Sequence, residues 1–148
     1  MTDQFEQKKI ILSKAIWEPI EKEVANSQTD LINLLTWGQS FSYEGWLKIK
    51  VLKVFSNQIQ NVRNKGTDIK FIDPVMGSLE LKASSDNIGK NYFYYNTNVP
   101  YNDPVLFIAG TAPINTIEKM QEKYPFDFIG HRTLCNNKLI FGLAIKRP

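Results

Sequence analysis

The sequence predicts an α/β domain in which a central β-sheet of about five strands is flanked by helices. Three observations support this fold class. Residues 42–63 carry apolar side chains at helical spacing. Residues 68–71 and 79–82 alternate between apolar and charged side chains, which is typical of half-buried strands. Val105–Ala109 is a continuous apolar run between Pro104 and Gly110, which is typical of a central strand buried on both faces.

The composition fits one ordinary globular domain. The chain has 148 residues, of which 43% are hydrophobic, so it is long enough to bury a substantial core. We expect a single domain over residues 1–148, with a helical N-terminal part at 1–40 and the core at 42–148. Cys135 is the only cysteine, which excludes an internal disulfide and a cysteine-rich zinc site.

The net charge of +3 and the pI near 8.9 permit a nucleic-acid partner without requiring one. The N-terminus has no apolar stretch of signal-peptide length, and no other run approaches a membrane span. We therefore expect a soluble cytoplasmic protein with no membrane partner.

Two helices are predicted in the N-terminal part. Residues 4–23 have helical apolar spacing, and Pro19 is expected to kink or end that helix. A second, short helix can be capped by Thr29 or Asp30 and closed by Gly38. These helices could cover the sheet or pair with a second subunit.

A third helix is predicted from Ser42, as N-cap, to about Arg63. Its expected buried stripe consists of Leu47, Val51, Val54, Phe55, Ile59 and Val62. Glu44 stands at the head of this stripe, where a carboxylate favours the helix N-terminus and can pair with Lys48.

The next two predicted strands form a hairpin with one apolar and one charged face. The apolar face carries Ile69, Phe71, Leu79 and Leu81, and the charged face carries Asp68, Lys70, Glu80 and Lys82. A loop at residues 73–77 would place Lys70 opposite Glu80. The same register would place Asp68 opposite Lys82, and a slip of one residue would move Asp68 to the wrong face.

The charged face predicts a site for a hard divalent cation. Mg²⁺ takes oxygen ligands and is usually held by one or two carboxylates plus substrate phosphate. Asp68 and Glu80 would hold the metal and the backbone carbonyl of Leu81 could add a ligand. Lys82 would orient the attacking water or stabilise developing charge, as phosphodiester hydrolysis requires. The alternative is that the four charged side chains form ordinary cross-strand ion pairs.

At these positions the sequence resembles the PD-(D/E)xK nuclease superfamily, most closely its small type II restriction endonucleases. The matching residues are Asp68 and the run Glu80-Leu81-Lys82, while Thr67 stands where the superfamily pattern has proline. Many members carry an acidic residue on the preceding helix that assists the metal site, and Glu44 resembles it.

The resemblance implies a restriction-endonuclease-like core with a mixed sheet. It also implies a Mg²⁺-dependent DNA endonuclease, with Mn²⁺ as a possible substitute, that acts on double-stranded DNA. A homodimer is expected, because cutting both strands of a palindromic site calls for two symmetric active sites.

The segment from Ser84 to Pro104 is predicted to be a long loop rich in Asn, Ser and aromatic residues. Amide and hydroxyl groups can read base edges, and lysines can contact phosphates. The expected DNA-binding residues are Lys65, Ser84, Ser85, Lys90, Asn96 and Asn98. The alternative is a surface loop without a binding role.

The remaining elements are a helix at Pro113–Tyr124 and strands at 126–129 and 139–145. The order helix, three strands, helix, strand from residue 42 onward matches the core order of the PD-(D/E)xK fold. His131 and Arg132 could contact phosphate, and the commoner alternative is an ordinary surface pair. Two further functions stay open: a non-catalytic DNA- or partner-binding domain with this architecture, and a junction-resolving or repair nuclease of the same superfamily.

Overall fold

The computed structural model describes residues 2–39, 42–62, 69–84, 87–98 and 103–148. The α-helices are α1 (Thr2–Leu12), α2 (Glu18–Ala25), α3 (Gln28–Thr36), α4 (Tyr43–Phe55) and α5 (Ile117–Lys123). The strands are β1 (Ile59–Val62), β2 (Ile69–Phe71), β3 (Ser78–Ser84), β4 (Val105–Gly110), β5 (Phe126–Leu134) and β6 (Leu139–Lys146). None of the helices in these ranges is both long and apolar enough to cross a membrane.

A mixed sheet of six strands runs in the order β1-β2-β3-β4-β6-β5. β3 and β4 are parallel, and the other neighbouring strands are antiparallel. The predicted α/β class with a mixed sheet is confirmed. β4 lies inside the sheet with Val105 to Ala109 all buried, as the apolar run predicts.

The sixth strand corrects the predicted third helix. α4 ends at Phe55, and the expected continuation to Arg63 is wrong, because Ile59–Val62 forms β1 instead. A turn separates the two elements, in which the Gln58 N–H donates to the Phe55 carbonyl. Ile59 pairs with Phe71 on β2, and this pairing satisfies the backbone hydrogen-bonding groups of the segment. Local helix propensity cannot anticipate a pairing with another strand.

The N-terminal helix continues past Pro19, so of the two predicted effects of this proline, ending the helix is wrong. A π-helical turn, Ser13–Trp17, joins α1 to α2, and its wider hydrogen bond runs from the Glu18 N–H to the Ser13 carbonyl. Pro19 therefore falls in the first turn of α2, where its missing N–H is tolerated.

The second predicted helix starts earlier than expected. Its N-cap position is Ser27 rather than Thr29 or Asp30, and the Ser27 hydroxyl donates to the Glu23 carboxylate at 3.0 Å. Gly38 follows α3 with φ of +66°, which agrees with its predicted role in closing this helix.

The two faces of the sheet are covered differently. α1 to α4 pack on one face, over buried residues that include Leu79, Leu81 and Leu106. The opposite face is covered by α5 and by residues 87–98, over Val105, Phe107 and their neighbours.

Residues 87–98 correct the prediction of one continuous loop. They contain a π-helix, Gly89–Phe93. Tyr92 and Phe93 of this helix and the preceding Ile88 are buried. Phe93 lies at the centre of an aromatic cluster, with ring centroids 4.7 Å from Phe126 and 5.8 Å from Phe107.

The N-terminal helices contact the last two strands. Lys9 donates to Asp127 at 2.8 Å across 118 positions of sequence, and the Arg132 guanidinium donates to Glu21 at 2.8 Å. β5 extends five residues beyond the predicted strand end at 129, so Arg132 lies on this strand. Its guanidinium forms an ion pair with Glu21. The β5–β6 turn has positive φ at Cys135, Asn136 and Asn137.

Candidate active site on strand β3

Strand β3 presents its alternating side chains to opposite faces of the sheet, as predicted. Leu79 and Leu81 are fully buried towards α4, and Glu80 and Lys82 are half-buried on the other face. Glu80 is paired with Val105 and Lys82 with Phe107 in the parallel β3–β4 ladder. Glu80 and Lys82 thus lie on β3, the direct neighbour of the buried strand β4.

The register of the β2–β3 hairpin differs from the prediction by two residues. Lys70 lies opposite Ser78 rather than Glu80, and Ile69 lies opposite Leu79. A shift of two leaves each side chain on its predicted face, because the side-chain period of a strand is two.

The turn between these strands explains the shift. The Phe71 N–H donates to the Gly77 carbonyl, so the five-residue loop lies at residues 72–76, one residue earlier than the predicted loop at 73–77. Asp73 organises it by accepting the Val75 N–H on its side chain at 2.9 Å, and Met76 is buried in the core.

Three of the predicted site residues, Asp68, Lys65 and Ser85, lie outside the described residues. Asp68 is bonded to Ile69, and Ile69 is paired with Leu79, the residue that precedes Glu80.

Glu44 meets strand β3 from the first turn of α4. Its carboxylate accepts a hydrogen bond from the backbone N–H of Ala83 and interacts favourably with the positive charge of Lys82. Lys48, one turn further along α4, adds a smaller favourable charge. The helix therefore brings an acidic side chain to the strand that carries Glu80 and Lys82.

The direction of the backbone groups on β3 shows which side Glu44 approaches. The Glu80 N–H donates to the Pro104 carbonyl at 2.9 Å, on the β4 side. Because successive residues of a strand point their N–H and C=O groups to alternate sides, the groups of Leu81 and Ala83 point to the β2 side. The carbonyl of Leu81 and the carboxylate of Glu44 thus lie on the same side of the strand.

The electrostatics of Glu44 reflect its burial. Burial raises the pKa of its carboxyl group above the ordinary value, while Lys82, the Ala83 N–H and Lys48 act in the opposite direction. A half-buried carboxylate next to a lysine is typical of a functional site.

We expect Glu44→Gln to change how stability depends on pH. With the folded-state pKa raised, the native protein holds more protons than the unfolded chain between the two pKa values. Stability contributed by Glu44 is therefore lost as pH rises above the ordinary value of 4.5. Glutamine keeps an acceptor for the Ala83 N–H but carries no charge. The free energy of unfolding of the variant should therefore increase relative to that of the wild type as pH rises.

Urea denaturation from acid to neutral pH measures this difference. Glu18→Gln, an exposed glutamate in the first turn of α2, is the matched control. Parallel pH profiles for the wild type and Glu44→Gln would contradict a buried Glu44 charge.

The oxygen atoms on β3 and at the start of α4 are of the kinds that suit a hard cation. Glu80 and Glu44 offer carboxylates and Leu81 offers a carbonyl, which are the ligand types that Mg²⁺ prefers. In the ranges that the structure describes, no group of three His, Cys, Asp or Glu side chains is positioned to hold a metal ion. Asp68 is not in those ranges, so the predicted ligand set is only partly described.

The predicted DNA-binding residues that are described occupy different environments. Ser84 is buried, and its hydroxyl accepts a hydrogen bond from the Asn91 side chain at 3.0 Å. The Asn96 side chain donates to the Tyr92 carbonyl at 2.8 Å, so it stabilises the end of its own helical segment. Lys90 and Asn98 are exposed. Base contact by Asn96 stays a prediction.

Sequence reasoning missed a groove beside this segment. Tyr94, Tyr95, Thr97, Asn98, Lys123 and Tyr124 line a cavity of about 430 Å³ between residues 87–98 and α5. The sequence does not show that α5 forms one wall of this groove, because that depends on tertiary packing. The adjacent tyrosines Tyr94 and Tyr95 were the one signal of the groove in the sequence.

Comparison of the chain with protein-family models, with curated proteins and with solved structures finds no match. The residues of β3 and α4 and their geometry therefore carry the functional assignment.

Proposed function

We propose that this protein is a Mg²⁺-dependent endodeoxyribonuclease that hydrolyses phosphodiester bonds in double-stranded DNA. The observation that carries the proposal is the approach of Glu44 to Lys82 and Ala83 on the strand that bears Glu80-Leu81-Lys82. A hairpin whose charges served only solubility would not require an acidic residue from a separate helix at the same place.

Each residue has a role in the proposed reaction. Glu80 and the Leu81 carbonyl, together with Asp68, would hold Mg²⁺, with Glu44 assisting. When bound, the cation would offset the charge of the phosphate and lower the pKa of a bound water. The Lys82 ammonium would orient the attacking water and donate hydrogen bonds to the phosphate oxygens as negative charge develops.

The fuller proposal is sequence-specific cleavage by a homodimer, as in type II restriction enzymes. Two copies related by a twofold axis would present two equivalent sites to the two strands of a palindromic sequence. The resemblance of Asp68 and Glu80-Leu81-Lys82 to the PD-(D/E)xK pattern supports this extension.

Incubation of the purified protein with supercoiled plasmid tests the proposal. We expect nicked and then linear DNA in the presence of Mg²⁺ or Mn²⁺, and no conversion when EDTA is in excess. Discrete fragments from a longer DNA would indicate a recognition sequence. Tight DNA binding without any cleavage would contradict catalysis and favour the non-catalytic DNA-binding alternative.

A further inference from the structure

The groove between residues 87–98 and α5 has the chemistry of a nucleotide site. Its volume of about 430 Å³ falls within the usual range for ligand pockets, about 300–1,000 Å³. Its lining combines aromatic rings, an amide, a hydroxyl and the ammonium group of Lys123. Such a mixture can hold a flat base, a sugar and a phosphate together.

Two adjacent tyrosines dominate the lining. Tyr94 is 62% exposed and Tyr95 is 71% exposed, although large aromatic side chains are usually well buried. Their ring centroids are 5.6 Å apart and their planes are nearly perpendicular, at 80°. Because the rings do not stack face to face, ring faces remain accessible to a planar ligand.

The tyrosines stand on a firmly anchored base. The two residues before them, Tyr92 and Phe93, are buried in the aromatic cluster. After them, the Asn96 side chain donates to the Tyr92 carbonyl and the Thr97 hydroxyl donates to the Phe93 carbonyl, at 2.8 and 2.9 Å. A platform held in this way loses little conformational entropy when a base stacks on it.

The charge of the groove suits a phosphate. Lys123 is the charged residue among those that line it, and its ammonium lies 5.6 Å from the centre of the Tyr124 ring. An adjoining cavity of about 470 Å³ adds Lys119 and one carboxylate, Glu122. Within the described parts of the chain, neither Lys119 nor Lys123 forms an ion pair.

The segment that carries the two tyrosines is hydrogen-bonded to the strand of the candidate active site. Ser84, the last residue of β3, accepts a hydrogen bond from Asn91 at 3.0 Å, and Asn91 belongs to the π-helix that leads to Tyr94.

We propose that the groove binds an unpaired nucleotide of a single DNA strand. Its base stacks on Tyr94 or Tyr95, and its phosphate contacts Lys123. The choice of DNA rests on the proposed nuclease function. A duplex with an unpaired nucleotide beside the cleaved bond should then bind more tightly than the fully paired duplex of the same length.

Fluorescence anisotropy with a labelled oligothymidylate tests this, in EDTA so that no cleavage occurs. An oligonucleotide of equal length and charge with abasic residues serves as the second probe. We expect the wild type to bind the base-containing strand more tightly than the abasic one. The double variant Tyr94→Ala and Tyr95→Ala should bind oligothymidylate about 5- to 150-fold more weakly for each stacked base lost.

Matched variants separate stacking from other effects. Replacement of both tyrosines by phenylalanine should retain the preference for bases, and Trp37→Ala, at an exposed aromatic directly after α3, should bind like the wild type. Lys123→Ala should weaken binding of both probes and flatten the salt dependence.

Equal affinity of the wild type for the base-containing and the abasic probe would overturn the proposal. Failure of the nuclease function itself would appear separately, as an absence of plasmid cleavage with Mg²⁺.

Discussion

Replacement of Lys82 by alanine is expected to lower the rate of Mg²⁺-dependent DNA cleavage by about 10²- to 10³-fold or more, because it removes a donor aimed at developing charge. Lys82 is half-buried on β3 and acts on Glu44 through its charge. Its loss also removes a cation that favours the charged form of Glu44. Single-turnover cleavage of plasmid DNA measures the effect.

DNA binding in the absence of cleavage should change little in this variant, because Lys82 is assigned to the water and the transition state rather than to the duplex. Lys8→Ala is the matched control, since this exposed lysine lies on α1, the helix that contacts β5 at the far edge of the sheet. Circular dichroism checks that both variants are folded. Cleavage by Lys82→Ala at the wild-type rate would show that the role is misassigned.

The largest effect on stability is expected from Phe93→Ala, at about 3–5 kcal/mol of unfolding free energy. Phe93 is fully buried, and its ring contacts those of Phe107, Phe126 and Phe128 with centroid distances of 4.7 to 5.8 Å. Truncation removes these contacts and leaves a cavity between α5 and the sheet, since the surrounding rings are fixed on separate strands.

Urea denaturation gives this free energy, with an unchanged m-value if the transition stays two-state. Tyr95→Ala is the matched control, since Tyr95 lies two residues further on but is 71% exposed. A loss of less than about 1 kcal/mol for Phe93→Ala, the size of an average mutation, would contradict the assigned packing of residues 87–98.

The parts of the fold that local patterns determine were predictable from the sequence. The apolar run at Val105–Ala109 predicted the central strand, and the alternation in β2 and β3 predicted which side chains share a face. Both depend only on the period of a strand and on burial. The position of Glu44 at the start of α4 was also visible, and the structure adds its hydrogen bond with Ala83.

The remaining features depend on contacts between distant residues. The hairpin register is set by the position of a turn that buries Met76, and alternation alone cannot distinguish registers that differ by two. β1 forms because it pairs with β2, which no helical periodicity reveals. The polar composition of residues 87–98 concealed Ile88 and Phe93, whose burial depends on α5 and β5.

The long-range links between the first helices and β5 have a consequence for folding during synthesis. Lys9 and Asp127 are separated by 118 positions, and Gln28 accepts the N–H of Cys135 across 107 positions. Residues 2–17 therefore leave the ribosome well before their partners on β5 are made, and the apolar side of α1 that contacts β5 stays uncovered in the nascent chain. The parallel β3–β4 pair adds further non-local contacts, which slow folding. Docking of the N-terminal helices thus has to await emergence of the C-terminal hairpin from the exit tunnel.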